Sequence, residues 1–341
     1  MVDQVQRRKD EHIQICLRED IDSGVDTGLG RYRLEYDALP DINLGDIDLG
    51  VTFLGKRLVA PIIIGSMTGG SEKAGLINAR LARVAEKLGI GMALGSQRAM
   101  LKDSDVRGSY AVKEIAPKLP LLIGNIGAIQ LNYGVSVEDL ERLVEEVKAD
   151  ALYFHLNPLQ EAIQPEGDTD FGGLFSRLRE VVSQLSFPTL VKEVGAGISD
   201  TTARKLSEIS FVGIEASGVG GTSWARVESY RAGENVRSAY LGERLKAFGI
   251  STAQSIQSCR RYFPKRPVIA SGGIRTGEDI ALSIALGADL IAIAAPLLPL
   301  AIQSEKAIET YLLNIIEELR VICFCTNSKT IQDLRRALKI I

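Results

Sequence analysis

Between residues 155 and 168 the chain reads HLNPLQEAIQPEGD, which sets an imidazole, several amides and two kinds of acid within a few positions of one another. Such a cluster can grip the oxygens of an anion, and Glu161 suits a hard cation such as Mg²⁺, which takes one or two carboxylates together with substrate phosphates. His155 stands out by scarcity, because the chain holds only 2 histidines and the other is His12. Lys192, at the end of PTLVKE, offers an ammonium to a negatively charged ring or substrate, with Glu193 alternating to the opposite face. Arg98 in GSQR carries the fork geometry that grips phosphate, while Ser96 and Asn125, in GSQR and GNIG, are neutral hydrogen-bonding partners for a ring system. Glycine-rich GSMTGG, SGVGGTSW and SGGIRTG add backbone amides and hydroxyls at close approach, the equipment for a ligand bearing phosphate. A mononucleotide cofactor is the natural occupant.

These residues share a position in the pattern: each ends an apolar run. Eight such runs occur, PIIIGS (61–66), IGMALGS (90–96), PLLIGN (120–125), ALYFHLN (151–157), PTLVKE (188–193), FVGIEASG (211–218), PVIASGG (267–273) and LIAIAAP (290–296). Segments of helical period separate them, among them EKAGLINARLARVAEKLG, VEDLERLVEEVKA, FSRLREVVSQL, TTARKLSEIS and TGEDIALSIALG. Repeated strand–helix units of this number and length predict an α/β fold, a TIM (β/α)₈ barrel, whose site is built where the strands end. SGGIRTG follows the seventh run, and the loops after strands seven and eight are the usual phosphate site of such barrels. No linker divides the chain. Residues 1–341 therefore read as one domain, with an N-terminal extension over 1–58, the barrel over 59–304 and closing C-terminal helices over 305–341. Pro158 is expected to turn its loop back over the mouth.

With 45% hydrophobic residues, 24% charged and a net charge of -3, the chain can bury a large core and lacks the basic balance of a general nucleic-acid binder. Its 4 cysteines (Cys16, Cys259, Cys323 and Cys325) have no paired spacing, which argues against a disulfide scaffold or structural zinc, and Cys323 and Cys325 read as small buried hydrophobes late in a helix. No stretch has the run of about 20 apolar residues that a membrane span needs, nor does the N-terminus carry the apolar core of a signal peptide. A cytoplasmic protein without membrane or nucleic-acid partners is expected.

RKDEHI, GSMTGG, GSQR, HLNPLQE followed by QPEGD, VKEVGAGIS, SGVGGTSW and SGGIRTG, in this order and spacing, resemble the type 2 isopentenyl diphosphate isomerases over nearly the full chain. The resemblance implies FMN, Mg²⁺, a reductant such as NADPH, isopentenyl and dimethylallyl diphosphates as substrate and product, and a homotetramer or homo-octamer. Carried over, its flavin contacts fall on Met67, Thr68, Gly69, Ser96, Asn125, Lys192, Ser217, Thr222, Gly272, Gly273, Arg275, Ala294 and Ala295. Its diphosphate contacts fall on Arg8, Lys9, Ser96, Gln97, Arg98, His155, Asn157 and Gln160, with Glu161 on magnesium and with Gln160, His155 and Lys192 as the groups nearest the chemistry. It also implies that the N-terminal arm, with Arg8, Lys9 and His12, orders over bound substrate; on residue types alone RRKDEH is a solvated charge run. One departure lies in VGIEASG, where Glu215 replaces an expected aspartate and its extra methylene is expected to shift a hydrogen bond in the barrel wall.

The implied reaction adds a proton at one end of an allylic system and removes one at the other, without net redox change. Side chains are weak partners for an unactivated alkene, so reduced FMN is the expected source of acid–base chemistry. Two other functions remain open on the sequence. An α-hydroxy-acid oxidase shares the barrel and the phosphate loops but wants a histidine base late in the barrel, and none follows His155. A non-catalytic barrel that binds a phosphorylated ligand predicts neither flavin nor turnover.

Overall fold

The computed structural model describes residues 2–340, with side chains described from Arg7 onward. The eight apolar runs form eight parallel strands: β1 (Ile62–Ile64), β2 (Gly91–Ala93), β3 (Leu122–Gly127), β4 (Ala151–Leu156), β5 (Thr189–Glu193), β6 (Gly213–Glu215), β7 (Val268–Ala270) and β8 (Leu290–Ile293). They close in chain order into a barrel, β8 returning to β1 through the register Ile291↔Ile62 and Ile293↔Ile64. Their runs are continuously apolar rather than alternating because one face fills the barrel and the other lies under helices, as in Ile62, Ile63 and Ile64, all 0% exposed.

The helices between strands start and stop where local chemistry directs. Val137–Val147 begins at a capping box of Ser136 and Asp139 and buries Leu140, Leu143, Val144 and Val147, one stripe at spacings of three and four. Glu72–Leu88 begins at Ser71, whose side chain accepts the Ala74 N–H, and stops at Gly89 in the left-handed region. Consequently each strand is delivered to the same end of the barrel with its polar outlet pointing one way.

Two terminal expectations change. The charge run lies within a helix, Val2–Arg18, laid across the mouth. Arg7 stays in solvent against Glu11, whereas His12 and Ile13 are buried, so one face of the run is a lid surface rather than a solvated one. The chain then continues as a strap over the glycine-rich loops after β6 and β7: Ser23 donates its N–H to Gly221 O (2.9 Å), Ser223 to Ile21 O (2.8 Å) and Ala253 to Thr27 O (3.0 Å). Gly273 makes this nesting possible. Its φ is +74°, and a Cβ there would stand 2.1 Å from Gly220 O and 2.6 Å from Thr27 Cγ2.

At the other terminus, Glu305–Cys325 is a helix with Cys323 buried in its last turn, as expected. Leu338–Ile340, however, is a strand rather than part of a closing helix, paired antiparallel with Tyr32–Leu34. It ties the C-terminus to the N-terminal extension. A short antiparallel hairpin, Val51–Phe53 with Lys56–Leu58, leads into β1 at the end opposite the mouth. Among the described residues, no helix is long and apolar enough to cross a membrane.

Candidate active site

The outlets of all eight strands, the N-terminal helix and the strap line one cavity, about 1820 Å³ of empty space that opens to solvent. Met67, Thr68, Ser96, Arg98, Asn125, His155, Asn157, Gln160, Glu161, Lys192, Ser217, Thr222, Gly272, Gly273, Arg275, Ala294 and Ala295 all face it, with Arg8, Lys9 and His12 from above. Two expected contacts do not. Gln97 is fully buried in the wall, where its Nε2 donates to Leu143 O (3.0 Å) and its Oε1 accepts the Asn125 N–H (2.8 Å). The side-chain amide is thereby used to hold β3 in place rather than turned to the cavity. Gly69 also sits outside the cavity, against the Tyr110 ring, where a Cβ would stand 2.0 Å from the ring edge.

One side of the cavity is lined mainly by neutral groups. Ser66 Oγ and Thr68 Oγ1 are buried there without a hydrogen-bond partner, the state of groups that a ligand completes. Asn125 donates from Nδ2 to Leu94 O (3.1 Å), so its Oδ1 faces His155 Nδ1 at 2.7 Å as acceptor. That contact places the imidazole proton on Nδ1. Burial, followed by the nearby Lys192, Lys9 and Arg98, pushes His155 down to about 3, so it is neutral at ordinary pH. On the loop after β7, Arg275 is paired with Asp22 of the strap (2.9 Å).

The other side gathers charge. Pro158 does not turn the loop back: it occupies the first turn of a helix, Pro158–Ile163, with Asn157 at the N-cap. Gln160 and Glu161 therefore project from a rigid turn. Glu161 is buried, its carboxylate accepting from Asn157 Nδ2 (2.8 Å) and from the Asp168 N–H (2.7 Å), and burial raises its pKa. Beside it Asn157 Oδ1 is buried without a partner. Arg98 Nη1 lies 2.6 Å from Asp168 Oδ2. Above them Lys9 is brought down to about 7, first by burial and then by repulsion from Arg8 and Arg98. Three cations therefore crowd one spot on the rim.

Beneath the lid, a carboxylate that the sequence reading missed joins the parts. Glu228 is fully buried; it accepts from Gln160 Nε2 (3.1 Å) and Arg231 Nε (2.7 Å), and its Oε1 lies 3.0 Å from His12 Nε2. Against the desolvation of that burial, His12 and Arg231 hold it down to about 2. His12 also meets the edge of Trp224 at 5.1 Å. Only the three-residue spacing from Glu228 to Arg231 hinted at this pairing, and Gln160 and His12 are distant in sequence.

Lys192 is buried in the barrel mouth rather than turned to solvent, donating to Glu193 O (2.5 Å). Glu193 points away, where it accepts the N–H groups of Val194 and Gly195 (2.6 Å each); burial raises it to about 7. Glu215 faces inward: its Oε1 accepts from Ser271 Oγ (2.8 Å) and lies 3.5 Å from Lys192 Nζ. Its longer side chain is thus taken up by a cross-strand bond. No group of three or more His, Cys, Asp or Glu among the described residues is arranged to hold a metal ion by itself. The oxygen set of Glu161 with Asn157 Oδ1 fits a hard cation that draws its other ligands from a phosphorylated partner.

The chain resembles known proteins at two levels. Residues 157–340 match the model of the FMN-dependent dehydrogenase family. Over 331 residues it is 47% identical to the isopentenyl-diphosphate delta-isomerase of Synechococcus sp., covering 97% of this chain and 94% of that protein. The same named enzyme of Deinococcus radiodurans is 46% identical, covering 97% of each chain, and that of Nostoc sp. is 44% identical, covering 98% and 95%. Among solved structures, a mandelate oxidase variant with a monooxide FMN adduct superposes with a TM-score of 0.65 at 18% identity, covering 93% and 90%. A chimera of (S)-mandelate dehydrogenase gives a TM-score of 0.66 at 17% identity, covering 97% and 92%. At such identities these structures establish the fold alone.

Proposed function

The chain belongs to the isopentenyl-diphosphate delta-isomerase family, and from that membership we infer that it interconverts isopentenyl and dimethylallyl diphosphates, in isoprenoid biosynthesis, with FMN in the barrel mouth. One observation carries the division of labour within the site. Three cations (Arg8, Lys9 and Arg98) meet at one side, while unpartnered neutral hydroxyls line the other. A diphosphate relieves the mutual repulsion of the first group. A flavin ring and its ribityl chain complete the hydrogen bonds of the second.

Ser66 Oγ and Thr68 Oγ1 are the orphaned atoms that such a ring would satisfy, with Asn125 and Lys192 at its other edge and Ser217, Thr222, Gly272 and Gly273 toward its phosphate. Reduced FMN, kept reduced by NADPH, supplies acid–base chemistry to an alkene that side chains alone cannot provide. The protein's own part is placement. Arg8, Lys9 and Arg98 fix the diphosphate and Glu161, with Asn157, holds Mg²⁺ against it, so the five-carbon tail is presented in one orientation. Gln160, held by Glu228, is the polar group set to position a labile proton. Neutral His155 bridges the two sides through Asn125. Ile13 and Cys16 of the helix and Ile21 of the strap give the tail an apolar roof that excludes water. The same reading takes the protein to be cytoplasmic and a homotetramer or homo-octamer, which light scattering measures.

The test combines colour with turnover. Purified protein with FMN should absorb near the flavin's roughly 450 nm band. Given NADPH and Mg²⁺, it should convert isopentenyl diphosphate to the dimethylallyl isomer. Oxidation of a 2-hydroxy acid without isomerisation would support the oxidase reading instead, and a colourless, inactive protein the binding reading.

A further inference from the structure

Below the mouth lies a buried group that the reaction as described leaves without a task. Lys192 on β5 and Glu215 on β6 are direct register partners, both pointing into the barrel. Ser271 at the outlet of β7 donates to Glu215 Oε1, the oxygen that also faces Lys192 Nζ at 3.5 Å. Beneath them, Tyr153 of β4 is 0% exposed. Burial, and after it the neighbouring Glu215 carboxylate, keeps that phenol neutral. The Tyr153 hydroxyl is turned toward the Glu215 carboxylate.

A carboxylate at this depth needs a reason, since an ionic group inside a barrel core is costly unless paired. One oxygen is held by Ser271 and Lys192, and the neutral Tyr153 phenol lies against the carboxylate. What the arrangement secures is the charge of the cavity floor: an ammonium alone would present a full positive charge upward, whereas an ammonium with a carboxylate one strand away presents little net charge. Coulomb interaction over 3.5 Å is strong in such a poorly hydrated place.

We propose that Glu215 is a positioning residue for the flavin: through Lys192 it sets the charge that the barrel floor presents to the ring, and Ser271 fixes the carboxylate in that role. The inference rests on the reading that the edge of the FMN ring lies against Lys192. An uncompensated cation beside the ring favours its electron-rich reduced form, so removing the charge of Glu215 raises the reduction potential of the bound flavin. Restoring a carboxylate restores the potential.

The experiment is spectroelectrochemical titration of the FMN-loaded parent, E215Q and E215D, with melting curves to confirm that each is folded. E215Q should show a more positive midpoint, and E215D should return toward the parental value. Equal midpoints for parent and E215Q would overturn the proposal; so would an E215D shifted as far as E215Q, because packing rather than charge would then be responsible. If E215Q fails to hold FMN, S271A decides. It frees Glu215 Oε1 from its hydroxyl donor, concentrates negative charge beside Lys192 and should move the midpoint negative; an unmoved midpoint overturns the proposal. A parent that takes up no FMN defeats the reading of the mouth and this inference with it, whereas a yellow parent and a yellow E215Q with one midpoint defeat the inference alone.

Discussion

Across the barrel mouth, the outlet of β1 and the surroundings of the β4 outlet solve opposite problems. On the first, Ser66 and Thr68 hold buried hydroxyls without partners, on short loops fixed by backbone bonds such as Gly65 N–H to Ile293 O (2.8 Å). On the second, charged groups largely answer one another: Arg98 with Asp168, Arg231 with Glu228 and Glu166, and Glu161 with Asn157 and the Asp168 amide. The neutral side is ready for a ligand as it stands. The charged side must exchange partners when an anion arrives, so its binding depends on protonation and on the helix that closes it. Permanent cofactor and passing substrate call for this difference.

The sharpest way to break the comparison is at Gly273, where the phosphate loops nest against the strap. G273A adds a Cβ at 2.1 Å from Gly220 O on a left-handed backbone. Strain of about 1–3 kcal/mol before any clash predicts at least a ~10- to 100-fold loss of FMN affinity. Equilibrium binding of FMN to the apoprotein, followed by fluorescence quenching, measures it; parental affinity would mean that the loops do not hold the flavin.

On the charged side, E161Q should leave the flavin bound while lowering turnover by roughly 10- to 100-fold and raising the Mg²⁺ concentration needed for half activity. Absorbance and a magnesium titration separate these effects. Loss of flavin in this variant would erase the distinction between the two sides. K9M should be milder, raising KM for isopentenyl diphosphate by about tenfold with FMN retained, the scale of one charged hydrogen bond. Because Lys9 sits at about 7, the parent's KM should also rise as pH climbs through that value and the ammonium is lost, whereas K9M should lack this component.

The smallest effect concerns the joint between helix and barrel. Glu228 lies at about 2 in the folded protein against an ordinary value near 4.5, so its ionised form adds stability above the latter that is lost as pH falls toward 2. E228Q should melt a few degrees below the parent at neutral pH, with the gap closing over that window. A gap that persists at low pH would assign the loss to packing rather than charge.

Much of the barrel was legible because its signals are local. β-branched runs marked all eight strands, segments of helical period marked the helices between them, and once the barrel is assumed the outlets have only one place to go. Four features were not legible, each for a physical reason. RRKDEH reads as a solvated run because only its buried face, completed by Glu228 and Trp224 from far along the chain, makes it a lid. Gln97 carries the right atoms, but its neighbour Arg98 takes the cavity and backbone geometry turns the amide into the wall. Pro158 favours a turn and the first turn of a helix alike, and the residue types around it do not separate the two. Leu338–Ile340 is too short to announce itself as a strand and exists because Tyr32–Leu34 offers an edge.

The proposed function divides one cavity into a mainly neutral cofactor side and a cationic substrate side. The most direct measurement is a crystal structure of the protein with both FMN and isopentenyl diphosphate. The ring is expected against Ser66, Thr68, Asn125 and Lys192, and the diphosphate among Arg8, Lys9 and Arg98 beside Glu161. A diphosphate seated away from those three cations, or a flavin outside the barrel mouth, would contradict it.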